Sequence, residues 1–341
     1  MSDLGPVEAL ERIAYLLERG RAESYKVRAF RRASAALQDL GPETVRSMGE
    51  TGRLLDIPGV GDTTARVIAE ALAGETPSYL TELEGRSGPE MNADAERVRS
   101  LLRGDCHSHS DWSDGGSPVE VMARAAAALG HDYLAMTDHS PRLTVAHGLD
   151  AGRLRQQLDL VDYLNSKLAP FRILTGIEVD ILEDGSLDQE EALLARLDVV
   201  VASVHSKLRM ESPEMTRRMV KAIENPHTDI LGHCTGRIVV GRGRKPSTFD
   251  PGKVFAACAA TGTAVEINSR PERRDPPPEL LSEAVEAGCL ISIDTDAHAP
   301  GQLEWIGLGA MQAADAAVPD DRIVNSWKLD RFLDWTASHG D

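Results

Sequence analysis

The sequence predicts an α/β protein: a closed barrel of seven β/α units over residues 104–341, preceded by a small all-α domain over residues 1–85 and a linker over 86–103. Three observations carry that reading. Apolar residues recur at helical spacing through the first 85 positions. From residue 104 short apolar runs alternate with amphipathic segments. Each of those runs ends in a histidine, a carboxylate or an amide. Repeated β-then-α units argue for a parallel sheet, and seven in a row argue for closure into a barrel.

In the first domain Leu10, Ile13, Leu16 and Leu17 fall on one helical face, and Val27, Phe30, Ala33, Ala36 and Leu37 on another. LLDIPGV follows, then Gly61, Asp62 and the helical stretch TTARVIAEALAG. From Glu84 to Glu96 the composition turns to Gly, Ser, Pro, Asn and acid, as a linker does. Strands are expected near residues 105–107, 133–137, 173–178, 199–204, 229–232, 264–267 and 291–294. PVEVMARAAAALG, AGRLRQQLDLVDYLNSKL, PGKVFAACAATG and PPELLSEAVEAG supply helices between some of them.

The chain has 341 residues, 42% of them hydrophobic, and a formal net charge of −17, so nucleic acid would be bound only through a local basic face. No apolar run is long enough to span a membrane, and the first twenty residues lack the order of a signal peptide, so a cytoplasmic, soluble protein is expected, with a monomer as its state. Cys106, Cys234, Cys258 and Cys289 are scattered and form no C-x-x-C pair, which excludes a disulfide framework. Cys106 and Cys234 adjoin motif histidines, but small buried fillers are the plainer reading.

The strand ends hold the chemistry. They bear His107 and His109 with Asp114 in the loop after them, Asp138 and His139, Glu178, His205, His233, Asn268, and Asp296 with His298. Histidines at i and i+2 on a strand point to one side, and the carboxyl ends of barrel strands are where active sites gather. Nitrogen and oxygen ligands without thiolate suit zinc, manganese or iron, and clusters of such ions activate water and clamp phosphoryl oxygens. Asp138 is read as a hydrogen-bonding support for its neighbours, and Asn268 as ligand or support. His131, His147, His227 and His339 lie off the pattern.

The ordered set HSHSDWSDG, TDHS, GIEVD, SVHS, GHCTGR and TDAH over residues 104–335 resembles the PHP (polymerase and histidinol phosphatase) family, and within it the PHP domain of bacterial X-family DNA polymerases. The resemblance implies a distorted (β/α)7 TIM-like barrel with three divalent transition metals (Mn, Zn or Fe). His107, His109, Glu178 and Asp296 would hold the first. Glu178 would bridge to a second, completed by His205 and His233, and Asp114, His139 and His298 would hold the third. A metal-bridging hydroxide, set among Glu178, Asp296 and His298, would attack phosphorus. Two departures from the family pattern are Cys234, where proline is usual, and the run RRDPPP.

Arg237, Arg270 and Arg273 are candidate phosphate-binding residues, with Arg242, Arg244 and Lys245 crowding the same loop. Pro58, Gly59, Val60 and Gly61 form a G-x-G turn before a helix, whose amides suit phosphate. With Lys26, Arg28 and Arg31 they resemble the helix-hairpin-helix domain of the same polymerases, which makes non-sequence-specific DNA an expected partner. The polymerase core is missing between the two domains. No lysine stands in the helix after the turn, so no deoxyribose-phosphate lyase activity is expected by that route. The leading expectation is therefore a metal-dependent phosphoesterase acting on DNA ends, as a 3′-5′ exonuclease, 3′-phosphatase or abasic-site endonuclease. A histidinol-phosphatase-type enzyme acting on a phosphorylated small molecule is the first alternative, and a non-catalytic DNA-binding scaffold the second.

Overall fold

The computed structural model describes residues 4–86 and 90–340. The chain divides into two compact units, 1–90 and 91–341, and each is described by itself.

The first unit is all-helical: α1 (Pro6–Arg19), α2 (Ser24–Leu40), α3 (Pro42–Glu50), α4 (Asp62–Leu72) and α5 (Ser78–Glu84). Ala9, Leu10, Ile13, Ala14, Leu16 and Leu17 share one face of α1 and are buried with Phe30, Ala33 and Leu37 of α2 and Val67, Ile68 and Ala71 of α4. The G-x-G turn joins α3 to α4 through a short 3-10 turn, Leu54–Asp56. Gly59 sits at φ +90°, where a side chain would be strained. Val60 is buried in the core and anchors the turn, while Pro58, Gly59 and Gly61 are exposed. The Gly61 amide donates to the Thr64 hydroxyl at 2.9 Å, so one of the turn's amides is already spent.

Of the expected DNA-contacting cations, Lys26 and Arg28 are exposed on α2, but Arg31 is committed elsewhere. Its guanidinium grips the carboxylate of Glu18 at 2.9 and 3.0 Å from one nitrogen and 3.1 Å from another. Glu18 is nearly buried, and a buried carboxylate needs such a partner. Arg31→Ala is therefore expected to lower the stability of the helical unit by about 1–3 kcal/mol, discounted for the partial exposure of Arg31. Thermal melting of residues 1–90 within the full chain checks this; an unchanged melt with weakened DNA binding would restore Arg31 to the DNA-contacting set.

Within the expected linker, Ala93–Leu101 form a helix, α6, capped by the Asn92 side chain on the Ala95 amide at 2.8 Å. Its polar composition hides a narrow apolar stripe: only Ala95 and Val98 are buried.

Then come β1 (Gly104–Asp105), α7 (Val119–Ala128), β2 (Tyr133–Met136), α8 (Ala151–Leu168), β3 (Arg172–Asp180), α9 (Glu191–Leu194), β4 (Val199–Ser203), α10 (Ser212–Ile223), β5 (Ile230–Leu231), α11 (Pro251–Thr261), β6 (Ala264–Asn268), α12 (Pro278–Glu286), β7 (Ile291–Asp294), α13 (Ile306–Asp315) and α14 (Leu329–Ala337). The seven strands are parallel in chain order. β3 is the long one: it pairs with β2 through Arg172–Thr175 and with β4 through Gly176–Asp180. Gly176 is at the changeover, where a β-carbon would stand 2.9 Å from the Val199 carbonyl and 3.0 Å from that of Met136.

β1 and β7 share no ladder, so the barrel is nearly closed. Polar contacts stitch the seam instead. Asn325 donates to the carbonyls of Gly104 (3.0 Å) and Ile293 (2.6 Å), the Cys106 amide donates to Asp294 (2.7 Å), and the His109 amide donates to Ala297 (2.8 Å). The amino-terminal end is plugged: Tyr133, Val199, Ile230 and Ala264, the first residues of four strands, pack with Trp327 and Phe332. Only the carboxyl end is left for a site.

Candidate metal centre

The polar side chains gather just past the carboxyl ends of the strands. His107 stands two residues beyond the end of β1, His205 beyond β4, His233 beyond β5 and Asp296 beyond β7. His109 and His298 follow at the next inward positions. Asp296 is held at φ +52°, the kind of strain found where a side chain must be aimed.

All nine expected ligands meet. Glu178 is the hub. One carboxylate oxygen, Oε2, lies 2.8 Å from His139 Nδ1, 3.3 Å from His107 Nε2 and 3.6 Å from His109 Nε2. The other, Oε1, lies 2.8 Å from His233 Nε2 and 3.2 Å from His205 Nε2. Asp296 Oδ1 is 3.4 Å from His109 Nε2, and Asp114 Oδ1 is 3.4 Å from His139 Nε2 and 3.3 Å from His298 Nε2. Four groups have ligand atoms within 4.8 Å of one another: His109, Asp114, His139 and His298; His107, His109 and Asp296; His107, Glu178 and His233; His139, Glu178 and His205. The groups share members more freely than the expected three sets. His109 joins the Asp114 group, and His139 joins Glu178.

The donor set fits divalent cations. His107 Nε2, both nitrogens of His109 and of His205, His139 Nδ1, His233 Nδ1 and Glu178 Oε2 are buried without a hydrogen-bond partner. Buried polar atoms are rarely left so, and cations set among the nitrogens that face Glu178, namely His107 Nε2, His109 Nε2, His139 Nδ1 and His205 Nε2, would satisfy those atoms. The electrostatics agree. Burial alone would raise the Glu178 carboxyl, but the His205, His107 and His139 imidazoles outweigh it and hold it well below the usual range. Burial alone would lower His205, but Glu178 and Asp180 raise it to about 9. Burial, with His298 and His139, holds His109 well below its usual value, and burial and Arg273 lower His233, so both stay neutral as metal ligands must.

Further carboxylates steady these ligands. Glu266 bonds His107 Nδ1 at 2.6 Å and accepts from the His233 amide. Asp180 accepts from the His205 amide at 3.1 Å. The bond from Glu266 to His107 Nδ1 leaves Nε2 of that ring to face the cluster, and the two backbone bonds fix where His205 and His233 stand. Neither residue is among the expected site residues, yet each has a signal: Glu266 and Asp180 are two positions from Asn268 and Glu178 on the same strands. Asp138 is a support, as expected, accepting from Ser110 (2.9 and 2.6 Å) and Gln157 (2.6 Å). Asn268 donates to Glu266 and Asp296, both at 3.3 Å.

The arginines part company. Arg273 Nε lies 3.0 Å from Asp296 Oδ2, and its Nη1 is buried without a partner. Arg270 Nη1 lies 3.4 Å from Asp296 and 3.2 Å from His298 Nδ1. Both belong to the cluster. Arg237, expected beside them, instead donates to the carbonyls of Arg273 (3.0 Å) and Arg274, so it braces the loop that carries Arg273. Cys106 and Cys234 are buried, and burial raises both thiols far above a reactive range. Among the described residues no helix is long and apolar enough to cross a membrane.

Comparison with known proteins agrees with both units. Residues 5–77 match the helix-hairpin-helix domain model, and residues 105–250 match the PHP domain model. The DNA polymerase/3′-5′ exonuclease PolX of Bacillus subtilis (strain 168) is 38% identical over 297 residues, which is 86% of this chain and 50% of that protein. The chain thus spans half the length of that relative. A probable phosphatase of Thermoanaerobacter sp. (strain X514) is 30% identical over 234 residues, covering 65% of this chain and 89% of that protein. A solved histidinol phosphate phosphatase from Lactococcus lactis, with zinc, L-histidinol and phosphate, is similar over 64% of this chain and 95% of that one, at 17% identity and a TM-score of 0.45. With its ligand motifs in order on a seven-stranded parallel barrel, the chain belongs to the PHP family of phosphoesterases, with a helix-hairpin-helix domain ahead of the barrel.

Proposed function

We propose that this chain processes DNA ends by metal-dependent phosphoester hydrolysis, as a 3′-5′ exonuclease, 3′-phosphatase or abasic-site endonuclease. The observation that carries the hydrolytic part is the set of buried, unpartnered imidazole nitrogens focused on Glu178, with two arginines beside it. His107, His109, Asp114, His139, Glu178, His205, His233, Asp296 and His298 would hold up to three Mn, Zn or Fe ions. Such ions supply a nucleophile by lowering the pKa of water to about 7, and neutralise charge on the phosphoryl oxygens.

The protein's own part follows from burial. His107, His109, Glu178 and His233 form a floor closed to solvent, while His205, His298, Arg270 and Asp114 stand at the rim with side chains 11, 16, 26 and 37% exposed. A phosphate therefore enters over Arg270 and His298. Arg270 and the unpartnered Arg273 Nη1 orient it through charge-assisted hydrogen bonds. Asp296, bonded by both arginines and by His109, keeps those donors in place.

The DNA part is supported by the helix-hairpin-helix domain, with Lys26, Arg28 and the exposed turn Pro58, Gly59 and Gly61 available to a phosphate backbone, and by the likeness to an exonuclease-polymerase along both units. The likeness of the barrel to probable phosphatases supports a small phosphomonoester as the second reading. The full chain, assayed with manganese, should shorten or dephosphorylate a labelled DNA 3′ end or nick an abasic site, and lose at least about 100-fold of that activity in excess chelator. Hydrolysis of histidinol phosphate alone would transfer the assignment to the second reading, and chelator-resistant hydrolysis would remove the metals from it.

A further inference from the structure

Outside the cluster the barrel unit holds a cleft of about 1120 Å³, lined by Lys207, Arg209, Arg242, Arg244 and Lys245 and by no acidic or aromatic side chain. Five cations in one cleft reverse the sign of a chain that carries −17 overall. Its walls grow from two members of the cluster. Lys207 and Arg209 lie two and four residues after His205, and the hairpin bearing Arg242 leaves the GHCTG segment that contains His233.

The cleft is built, not a loose loop. Ile238 and Arg244 exchange backbone hydrogen bonds of 3.0 and 2.8 Å, which fixes a tight hairpin with Gly241 and Gly243 at positive φ and Arg242 at its tip. Arg244 Nε donates to the Gly236 carbonyl at 2.6 Å, and the Ser247 hydroxyl ties this wall to the other at the Leu208 carbonyl, 2.9 Å away. Arg209, Arg242 and Lys245 are exposed and carry no ion pair among the described residues, and the one counter-charge near Lys207 is Glu183 at 3.9 Å.

We propose that this cleft is the barrel's own subsite for a DNA strand, holding the phosphates adjoining the one that enters the cluster. This rests on the reading of the substrate as DNA, and it makes the barrel selective for a strand over a small ester. The volume exceeds that of most small-molecule sites. With no aromatic side chain to stack on bases, affinity here comes from charge, so it is sequence-tolerant and falls steeply with salt.

The test uses the full chain, a fluorescent single-stranded oligodeoxynucleotide, and p-nitrophenyl phosphate with manganese. The triple variant R209E/R242E/K245E should weaken oligonucleotide binding by about tenfold or more and flatten the log-affinity against log-salt slope by about 2. Its p-nitrophenyl phosphate hydrolysis and melting temperature should match those of the unsubstituted chain. Unchanged binding overturns the subsite, as does binding that falls only when Lys26 and Arg28 are replaced. If ester hydrolysis also drops, R242Q and K245Q singly decide: loss of both activities together again overturns it. Groove-dependent binding without DNA hydrolysis leaves the subsite standing and sinks the nuclease reading instead.

Discussion

Glu178→Gln is expected to abolish phosphoester hydrolysis, with a loss of about 10³-fold or more, while the barrel stays folded. The two carboxylate oxygens divide five imidazoles between them: His107, His109 and His139 face one, and His205 and His233 the other. A neutral amide matches the shape but removes the bridging charge and offers one oxygen in place of two. Removing a residue that only supports a ligand costs about 10–100-fold in metal affinity or activity; this residue belongs to two of the four candidate ligand groups. Turnover of p-nitrophenyl phosphate, with metal content measured on the same sample, reads the effect. A variant that keeps full metal content and more than a tenth of the activity would show that the cluster is organised around another residue.

Arg273→Ala is expected to lower kcat by about 10²–10³-fold on DNA and on a small ester alike, which separates it from the cleft substitutions. Its guanidinium is almost buried, feels Asp296, Glu178, Asp275 and Glu266, and keeps one nitrogen free of any partner. A buried donor held ready beside a phosphate site acts on the charge that develops in the transition state, and truncation also leaves Asp296 with Arg270 as its remaining cation. Arg273→Lys should recover only part of the loss, because an ammonium cannot bond Asp296 and a phosphoryl oxygen with the fixed fork of a guanidinium. A rise in KM at unchanged kcat would make Arg273 a ground-state binder instead.

Much of the site was legible because barrel geometry converts sequence position into direction. Once the strand ends near Ser203 and Asp294 are found, a period of two places His205 and Asp296 on the inner face, whereas His139, three residues past Met136, and His233 are placed by the loops they begin; the structure brings all nine expected ligands together. The same period also puts Glu266, one step below Asn268, and Asp180, one step above Glu178, on that inner face, where they hold His107 and His205.

The long-range partners were not legible. Arg31 and Arg237 read as free cations in any local window, and only the fold sets Glu18 against one and the carbonyls of Arg273 and Arg274 against the other. The helix Ala93–Leu101 was hidden for a different reason. It buries two small apolar residues and is otherwise charged, so its composition is that of a linker although its cap and packing are those of a helix.

Hydrolysis by this barrel requires cations among these side chains. Anomalous diffraction from crystals of the full chain grown with manganese or zinc measures this directly. The expected result is strong peaks, up to three, ligated by His107, Glu178, His205 and His298 among the nine residues. A map with no peak within bonding distance of Glu178, from crystals whose protein hydrolyses phosphate esters, would contradict it.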